Sequence, residues 1–256
     1  MLKFLKFIGW LLSFPFVTIW LLIEFKSCYV AGKRYKKDPT SSLKEERYEK
    51  VRKLVKHFLF WKRIKIENVG KEKIEKKVML FVANHKSNVD PLVILKFVLD
   101  QELPFVTFVA KKEIQNTKIG HIADLLDVIY VDRGNIREVP QVLDNMVKTL
   151  QSKSSICLFA EGTRVPGDEI AEFKPTLLEA AYRTHMSIQP TVIYNSEGLL
   201  DKNKKPSKNK TVYISMLENI NSNSFINMER SILSKRIHEK ISHEYNKVKN
   251  NITKNK

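Results

Sequence analysis

The stretch "ANHKSNVDP", residues 83–91, places a histidine, two asparagines, a serine and an aspartate between two apolar segments. One apolar run of strand length, Val78–Val82, leads into it, and a second run, Leu92–Leu99, leads out. Open α/β sheets bind ligands just beyond the carboxyl ends of their strands, which is where this stretch would lie. It therefore predicts a strand–turn–helix unit whose polar residues either close a turn or form a reaction centre.

The simpler interpretation is structural. Aspartate is a good N-cap and proline is favoured at the first helical position, so Asp90 and Pro91 are typical of a helix start. The other polar residues of the stretch would then be turn formers: Asn84, Ser87 and Asn88. This interpretation leaves His85 unexplained, because a turn does not require an imidazole.

The alternative interpretation is catalytic. If the turn doubles back, the Asp90 carboxylate can accept a hydrogen bond from one imidazole nitrogen of His85, which leaves the other nitrogen as a proton acceptor. A base oriented by a carboxylate is the logic of a catalytic triad without its nucleophile, which could be a substrate hydroxyl. Ser87 is a less favoured nucleophile, since no nucleophile-elbow spacing surrounds it.

A second polar stretch, "CLFAEGTRVPG" at 157–167, also follows an apolar run of strand length. Gly162 permits a tight backbone and the close approach of a ligand, and Arg164 offers a planar fork suited to a phosphate. A surface turn with a solvated arginine is the alternative. Two further strand ends carry cations, Arg133 in "VIYVDRGN" and Lys111 in "FVAKKEI". Together these cations suggest a substrate that bears a phosphate.

Strand-like and helix-like segments alternate along the chain. The predicted strands are Val78–Ala83, Phe105–Ala110, Val128–Val131, Ile156–Phe159, Ile188–Tyr194 and Thr211–Met216. The predicted helices are Pro91–Leu99, Val139–Leu150, Lys174–His185 and Phe225–Asn246. This alternation predicts an α/β fold with a mixed, largely parallel central sheet flanked by helices.

The N-terminal region has a different character. Phe7–Ile23 is a run of 17 uncharged residues, and a helix of that length reaches about 25 Å, so it predicts a membrane-anchoring helical segment. Leu43–Trp61 has the pattern of a basic amphipathic helix, which either lies on anionic lipid or covers the core. We therefore expect an anchor and basic helix at 1–62, an α/β domain at 63–246 and a basic tail at 247–256.

The net charge of +17 and the pI of about 9.7 favour anionic partners, namely acidic lipid, a phosphorylated substrate, an acidic protein or nucleic acid. The basic residues show neither aromatic interleaving nor a nucleic-acid-binding motif, so we expect no nucleic acid. A non-catalytic, membrane-tethered binder of anionic lipid or nucleic acid remains the alternative from a different class. Cys28 and Cys157 have no metal-type spacing, and no metal is expected.

Four blocks in this order resemble the glycerolipid acyltransferase family, the membrane-bound enzymes that acylate lysophosphatidate and glycerol phosphate. The blocks are "NHKSNVDP", which matches NHxSxxDP, then "IGHIADLLDVIYVDRGN", "EGTR" and "QPTVI". One departure follows EGTR, where the family commonly has F-K-x-G. This chain reads "FKPTLL", with Pro175 and Thr176 and no glycine.

The resemblance implies a role for each candidate residue. His85 would be the general base and Asp90 its orienting carboxylate. The acceptor phosphate would be held by Arg164, Arg133 and Lys111, and the pocket would be shaped by Asn84, Ser87, Glu161, Gly162 and Thr163.

The resemblance also implies an O-acyltransferase that converts 1-acylglycerol 3-phosphate (lysophosphatidate) into phosphatidate. Acyl-CoA or acyl carrier protein would be the co-substrate, and no cofactor is implied. Glycerol 3-phosphate or another lysophospholipid is the alternative acceptor. The enzyme would work with membrane lipid at the cell membrane, with its active site on the cytoplasmic face.

Overall fold

The computed structural model describes residues 2–200 and 209–254, and side chains from Phe14 onward. Its α-helices are α1 (Leu2–Lys37), α2 (Lys44–Lys62), α3 (Asp90–Asp100), α4 (Lys118–Asp124), α5 (Val139–Gln151), α6 (Glu179–Thr184) and α7 (Arg230–Lys254). Its strands are β1 (Lys65–Asn68), β2 (Leu80–Ala83), β3 (Val106–Lys111), β4 (Ile129–Val131), β5 (Ser155–Phe159), β6 (Ile188–Tyr194) and β7 (Thr211–Met216).

The strands form one sheet in the order β1-β7-β6-β2-β5-β3-β4. β2 is parallel to both β5 and β6, and β3 is parallel to both β5 and β4, whereas β6 and β7 are antiparallel. The predicted mixed, largely parallel sheet is therefore confirmed. In the register of β2 and β5, Ala83 pairs with Phe159, so the segments that follow these two strands leave the same edge of the sheet side by side.

The core lies between the sheet and the helices packed on it. Buried apolar residues of β2 and β5 share one cluster with those of α5 and α7: Leu80, Val82, Ile156, Leu158, Val142, Met146, Leu150, Leu233, Ile237 and Ile241. Burial on both faces explains why the parallel strands read as continuous apolar runs instead of alternating ones. This packing makes the ends of β2 and β5 a rigid base for the polar stretches that follow.

The helix boundaries differ from the sequence prediction at three helices, the first being α1, which continues from the predicted Phe7–Ile23 to Lys37. The last helix begins at Arg230, after a 3-10 turn at Ser222–Ser224, and it continues to Lys254. Val248 is buried, so the apolar stripe runs on into the segment predicted as a basic tail, which is helical through Lys254; residues 255–256 lie outside the described part. The helix predicted over Lys174–His185 is shorter, and β1 and α4 were not predicted.

Residue contacts divide the chain into two compact units. The first comprises Met1–Lys65 with Glu113–Asp127, and the second comprises Ile66–Lys112 with Val128–Lys256. The N-terminal boundary falls three residues after the predicted one, but the prediction did not group the segment between β3 and β4 with the N-terminal helices. All of the candidate site residues belong to the second unit.

Within the first unit, a buried arginine holds the segment 113–127 to the N-terminal helices. The Arg47 guanidinium donates to Leu125 O at 3.1 Å and to both carboxylate oxygens of Asp127, at 3.0 and 2.8 Å. Tyr35 donates to the same carboxylate at 2.6 Å and lies face-on to the guanidinium. Charge-assisted bonds of this kind are among the strongest in proteins, and here they fix the segment.

The first unit also carries the apolar segment. Phe14–Lys37 of α1 has a mean hydropathy of 1.4 and is long and apolar enough to cross a membrane, by length and composition. Only 6% of its apolar stretch is buried, and Phe16 and Leu22 are among its exposed large side chains. An apolar helix that exposes its side chains is consistent with membrane association, as predicted from Phe7–Ile23.

Candidate active site

A histidine and an aspartate meet just beyond the end of β2. His85 Nδ1 lies 2.8 Å from Asp90 Oδ2, and the same oxygen accepts the backbone N–H groups of Lys86 and Ser87 at 2.7 Å each. Because Oδ2 acts as an acceptor for all three groups, Nδ1 carries the hydrogen and Nε2 keeps its lone pair. Asp90 is fully buried, whereas the His85 side chain is 16% exposed. The carboxylate thus holds the imidazole in one tautomer, in which Nε2 is the nitrogen that can accept a proton.

The helix starts at Asp90 and Pro91, as the simpler interpretation expected, but the Asp90 side chain does not cap it. α3 begins at Asp90 itself, with Val89 in the N-cap position and no side-chain cap. The carboxylate accepts from the residues before it instead, so the turn doubles back as the catalytic interpretation required. Asp90 Oδ1 is buried and has no hydrogen-bond partner among the described residues.

The imidazole is also held from its face. The Phe159 ring at the end of β5 stacks on His85, with ring centroids 4.2 Å apart and planes inclined by 22°. This stack follows from the strand register, because Phe159 pairs with Ala83, two residues before His85. With Nδ1 bonded and one face covered, the imidazole has little freedom to rotate.

Two of the predicted pocket residues support the turn from within. The Asn84 side chain donates to Ile193 O at 2.9 Å and accepts from Ile193 N at 2.8 Å, which ties the end of β2 to β6. Ser87 is buried, and its hydroxyl accepts the Val89 N–H at 3.3 Å. Among the described residues its hydroxyl makes no hydrogen bond to His85, so the structure gives Ser87 no activating base.

Glu161 joins the turn to the loop that follows β5. One of its oxygens accepts the His85 N–H at 2.6 Å and the other accepts the Ala171 N–H at 2.9 Å. Burial raises the pKa of the Glu161 carboxyl, and the two N–H donors oppose that rise. The sequence prediction gave Glu161 a part in shaping the phosphate pocket. In the structure the carboxylate bonds two backbone segments, one with each oxygen.

The loop itself reverses direction at a glycine. Gly162 has φ of 71°, and a Cβ there would lie 3.2 Å from the Lys174 side chain, so a larger residue would be strained and crowded. Thr163 and Arg164 follow and are exposed. The Val165 N–H then approaches His85 O at 3.4 Å, which places the backbone next to Arg164 beside the histidine.

The Arg164 guanidinium makes no hydrogen bond or ion pair with any other residue that the structure describes, and it therefore remains available to an anion. Lys111 and Arg133 are exposed as well. Lys111 is the last residue of β3, and Arg133 follows β4. These two strands lie two and three places from β2 in the sheet. At about 4.8 Å per strand these ends are roughly 10 and 14 Å from the end of β2. The structure thus places the backbone of the Arg164 loop beside His85 and sets the other two cations further along the edge.

Sequence reasoning missed two residues that contact the site. Phe159 was assigned only to a strand, and its stacking on His85 depends on a pairing register that a single sequence does not reveal. Lys86 was passed over as a variable turn position, yet its side chain is buried and bonds the loop after β5. Lysine is rarely buried, and nothing in the sequence signals that it is here.

The chain is similar in sequence to a known protein family and to bacterial proteins. The acyltransferase family matches residues 65–194. A probable 1-acyl-sn-glycerol-3-phosphate acyltransferase of Mycoplasma genitalium is 37% identical over 243 residues, covering 92% of this chain and 91% of its own. A protein of the same description from Mycoplasma pneumoniae is 36% identical over 208 residues, covering 81% and 77% respectively.

The fold has a counterpart among solved structures. The crystal structure of the 1-acyl-sn-glycerophosphate (LPA) acyltransferase from Thermotoga maritima superposes with a TM-score of 0.66 at 20% identity, covering 91% of this chain and 98% of the other. The two chains therefore share a fold. Together with the match over residues 65–194 and the relatives aligned along most of their length, the comparison establishes that the chain belongs to the acyltransferase family.

Proposed function

We propose that the protein transfers an acyl chain from acyl-CoA or acyl carrier protein to the free hydroxyl of 1-acylglycerol 3-phosphate, giving phosphatidate. The observation that carries the proposal is the 2.8 Å hydrogen bond between His85 Nδ1 and Asp90 Oδ2 beside the loop of Arg164. The two Mycoplasma relatives are named for this acceptor, which favours it over glycerol 3-phosphate and other lysophospholipids.

In the proposed reaction, His85 Nε2 accepts the proton of the acceptor hydroxyl as the oxygen forms a bond to the thioester carbonyl carbon. The tetrahedral intermediate collapses when its carbon–sulfur bond breaks, and the imidazolium returns the proton to the leaving thiolate. Asp90 stabilises the imidazolium in between. General-base assistance of this kind contributes roughly 10²–10⁴ to a rate, and the alignment of two bound substrates contributes most of the remainder.

The acceptor phosphate would be held chiefly by Arg164. A guanidinium presents two parallel N–H groups to a phosphate, and such charge-assisted pairs fix orientation as well as position. Since the neighbouring Val165 N–H bonds His85 O, a phosphate on Arg164 would place the acceptor's free glycerol hydroxyl near the imidazole. Arg133 and Lys111 would add a longer-range attraction.

The donor and the location follow from charge and from solubility. With a net charge of +17, the protein would attract CoA, which is polyanionic, or an acidic carrier protein. Both donors are water-soluble, so the site would face the cytoplasm, with α1 attaching the enzyme to the membrane that holds its lipid acceptor and product.

The test is an acylation assay of the purified full-length protein in mixed micelles. Acyl-CoA and acyl carrier protein are supplied separately, and each is offered lysophosphatidate, glycerol 3-phosphate and lysophosphatidylcholine. We expect phosphatidate to form fastest. Preferred esterification of glycerol 3-phosphate would replace the acceptor but keep the chemistry, and the absence of any esterified product with either donor would contradict the proposal.

A further inference from the structure

Lys86 lies between the histidine–aspartate pair and the loop that carries Arg164. Its backbone N–H donates to Asp90 Oδ2 at 2.7 Å. Its ammonium donates to Val165 O at 3.0 Å and also to Glu169 O. One residue thus bonds the catalytic carboxylate through its main chain and the loop after β5 through its side chain.

The Lys86 ammonium is held in a buried position. Only 6% of Lys86 is exposed, and Nζ lies 5.8 Å from the centroid of the Tyr245 ring of α7. Burial lowers the pKa of the Lys86 ammonium, while carboxylates including Glu161 and Asp168 oppose that effect. Its hydrogen bonds to described residues go to backbone carbonyl oxygens, so the side chain connects main-chain segments.

Val165 is bonded through both its backbone N–H and its backbone carbonyl oxygen. Val165 N–H approaches His85 O at 3.4 Å, and Val165 O accepts from Lys86 Nζ at 3.0 Å. Both backbone polar groups of the residue after Arg164 are therefore bonded to the dipeptide 85–86. Because the exposed Arg164 side chain bonds no described residue itself, its place relative to His85 depends on this attachment.

We propose that Lys86 is a positioning residue that sets the separation of the Arg164 guanidinium from the His85 imidazole. Its ammonium holds the loop so that the phosphate of an acceptor and the acceptor's hydroxyl are aligned at the same time. This inference rests on the proposed function, because it assigns Arg164 to the acceptor phosphate.

The direct test replaces Lys86 by methionine, which keeps the apolar stem and removes the donors. Losing a hydrogen bond from a charged group should raise the KM for lysophosphatidate about tenfold. The kcat should change by less than about threefold, because the Asp90 carboxylate keeps its three donors. Lys86→Arg, which keeps charge and donors, should restore most of the KM. Lys235→Met, at an exposed lysine of α7, is the control and should match the wild type.

A double-mutant cycle separates positioning from general support of the fold. If Lys86 acts through Arg164, then Lys86→Met should raise KM by less than about twofold when Arg164 is already alanine. A second full tenfold increase in that background would overturn the inference. Should Lys86→Met not fold, Lys86→Gln, which retains a donor for one carbonyl, enters the same cycle; a wild-type KM for it would also overturn the inference.

The two proposals fail in different ways. A wild-type enzyme that does not esterify lysophosphatidate contradicts the proposed function. A wild-type enzyme that does so, together with an unchanged KM in Lys86→Met, contradicts only the role of Lys86.

Discussion

Two pairs of strand ends on the same edge of the sheet differ sharply. The segments after β2 and β5 are joined by Glu161, by Lys86 and by the stack of Phe159 on His85. The ends of β3 and β4 carry exposed cations, Lys111 and Arg133. Both pairs carry cations that would attract a phosphate, and the first pair also carries the hydrogen-bonded His85 and Asp90. Adjacency in the sheet, more than the type of side chain, decides which residues can act on one small substrate.

Asp90→Asn should break the first pair most severely. The neutral amide no longer fixes the Nδ1–H tautomer of His85 or stabilises the imidazolium, and the corresponding change in a serine protease triad lowers kcat by about 10⁴. We expect a fall of about 10³–10⁴ in kcat with little change in the KM for lysophosphatidate. Steady-state kinetics measure both quantities.

The matched control is Asp100→Asn at the other end of α3. The Asp100 carboxylate is 42% exposed and pairs with Lys96 of its own helix. The kcat of Asp100→Asn should equal that of the wild type. If Asp90→Asn kept more than about a tenth of the wild-type kcat, the orienting role of Asp90 would be untenable.

Arg164→Ala and Arg133→Ala compare the two pairs of strand ends directly. Losing a charge-assisted contact with the acceptor phosphate should cost about 2–3 kcal/mol, or a rise in KM of roughly 30- to 150-fold, for Arg164. For Arg133, an exposed charge further along the edge, we expect less than about fivefold. Equal effects would show that both pairs of strand ends bind one phosphate, which would contradict the difference between them.

The sequence predicted the elements whose burial is continuous. Six strands, β2 to β7, were located as short apolar runs. Five of them, β2 to β6, form the parallel part of the sheet, where burial on both faces gives continuous apolar runs. β1 was missed because "KIEN" is short, polar and mostly exposed, and such an edge strand has no hydrophobic signature. α7 was displaced because the chain forms a 3-10 turn at Ser222–Ser224 before the helix begins.

For the site, the sequence indicated candidate side chains but not what each one contacts. The hydrogen bond between His85 and Asp90 was expected, and it is present. Glu161 was assigned to the phosphate pocket, whereas both of its oxygens bond backbone N–H groups from distant positions. Such contacts depend on strand order and register, which local spacing does not determine. The same reason explains why Lys86 and Phe159 were overlooked.

The most direct test of the central claim is to measure turnover and acceptor binding together in His85→Ala. Removing a general base should lower kcat by about 10²–10⁴. Because Arg164 remains, the equilibrium dissociation constant for lysophosphatidate should stay within about threefold of the wild type. Turnover near the wild-type rate, or a loss of binding as large as the loss of turnover, would contradict the assignment of His85 as the base.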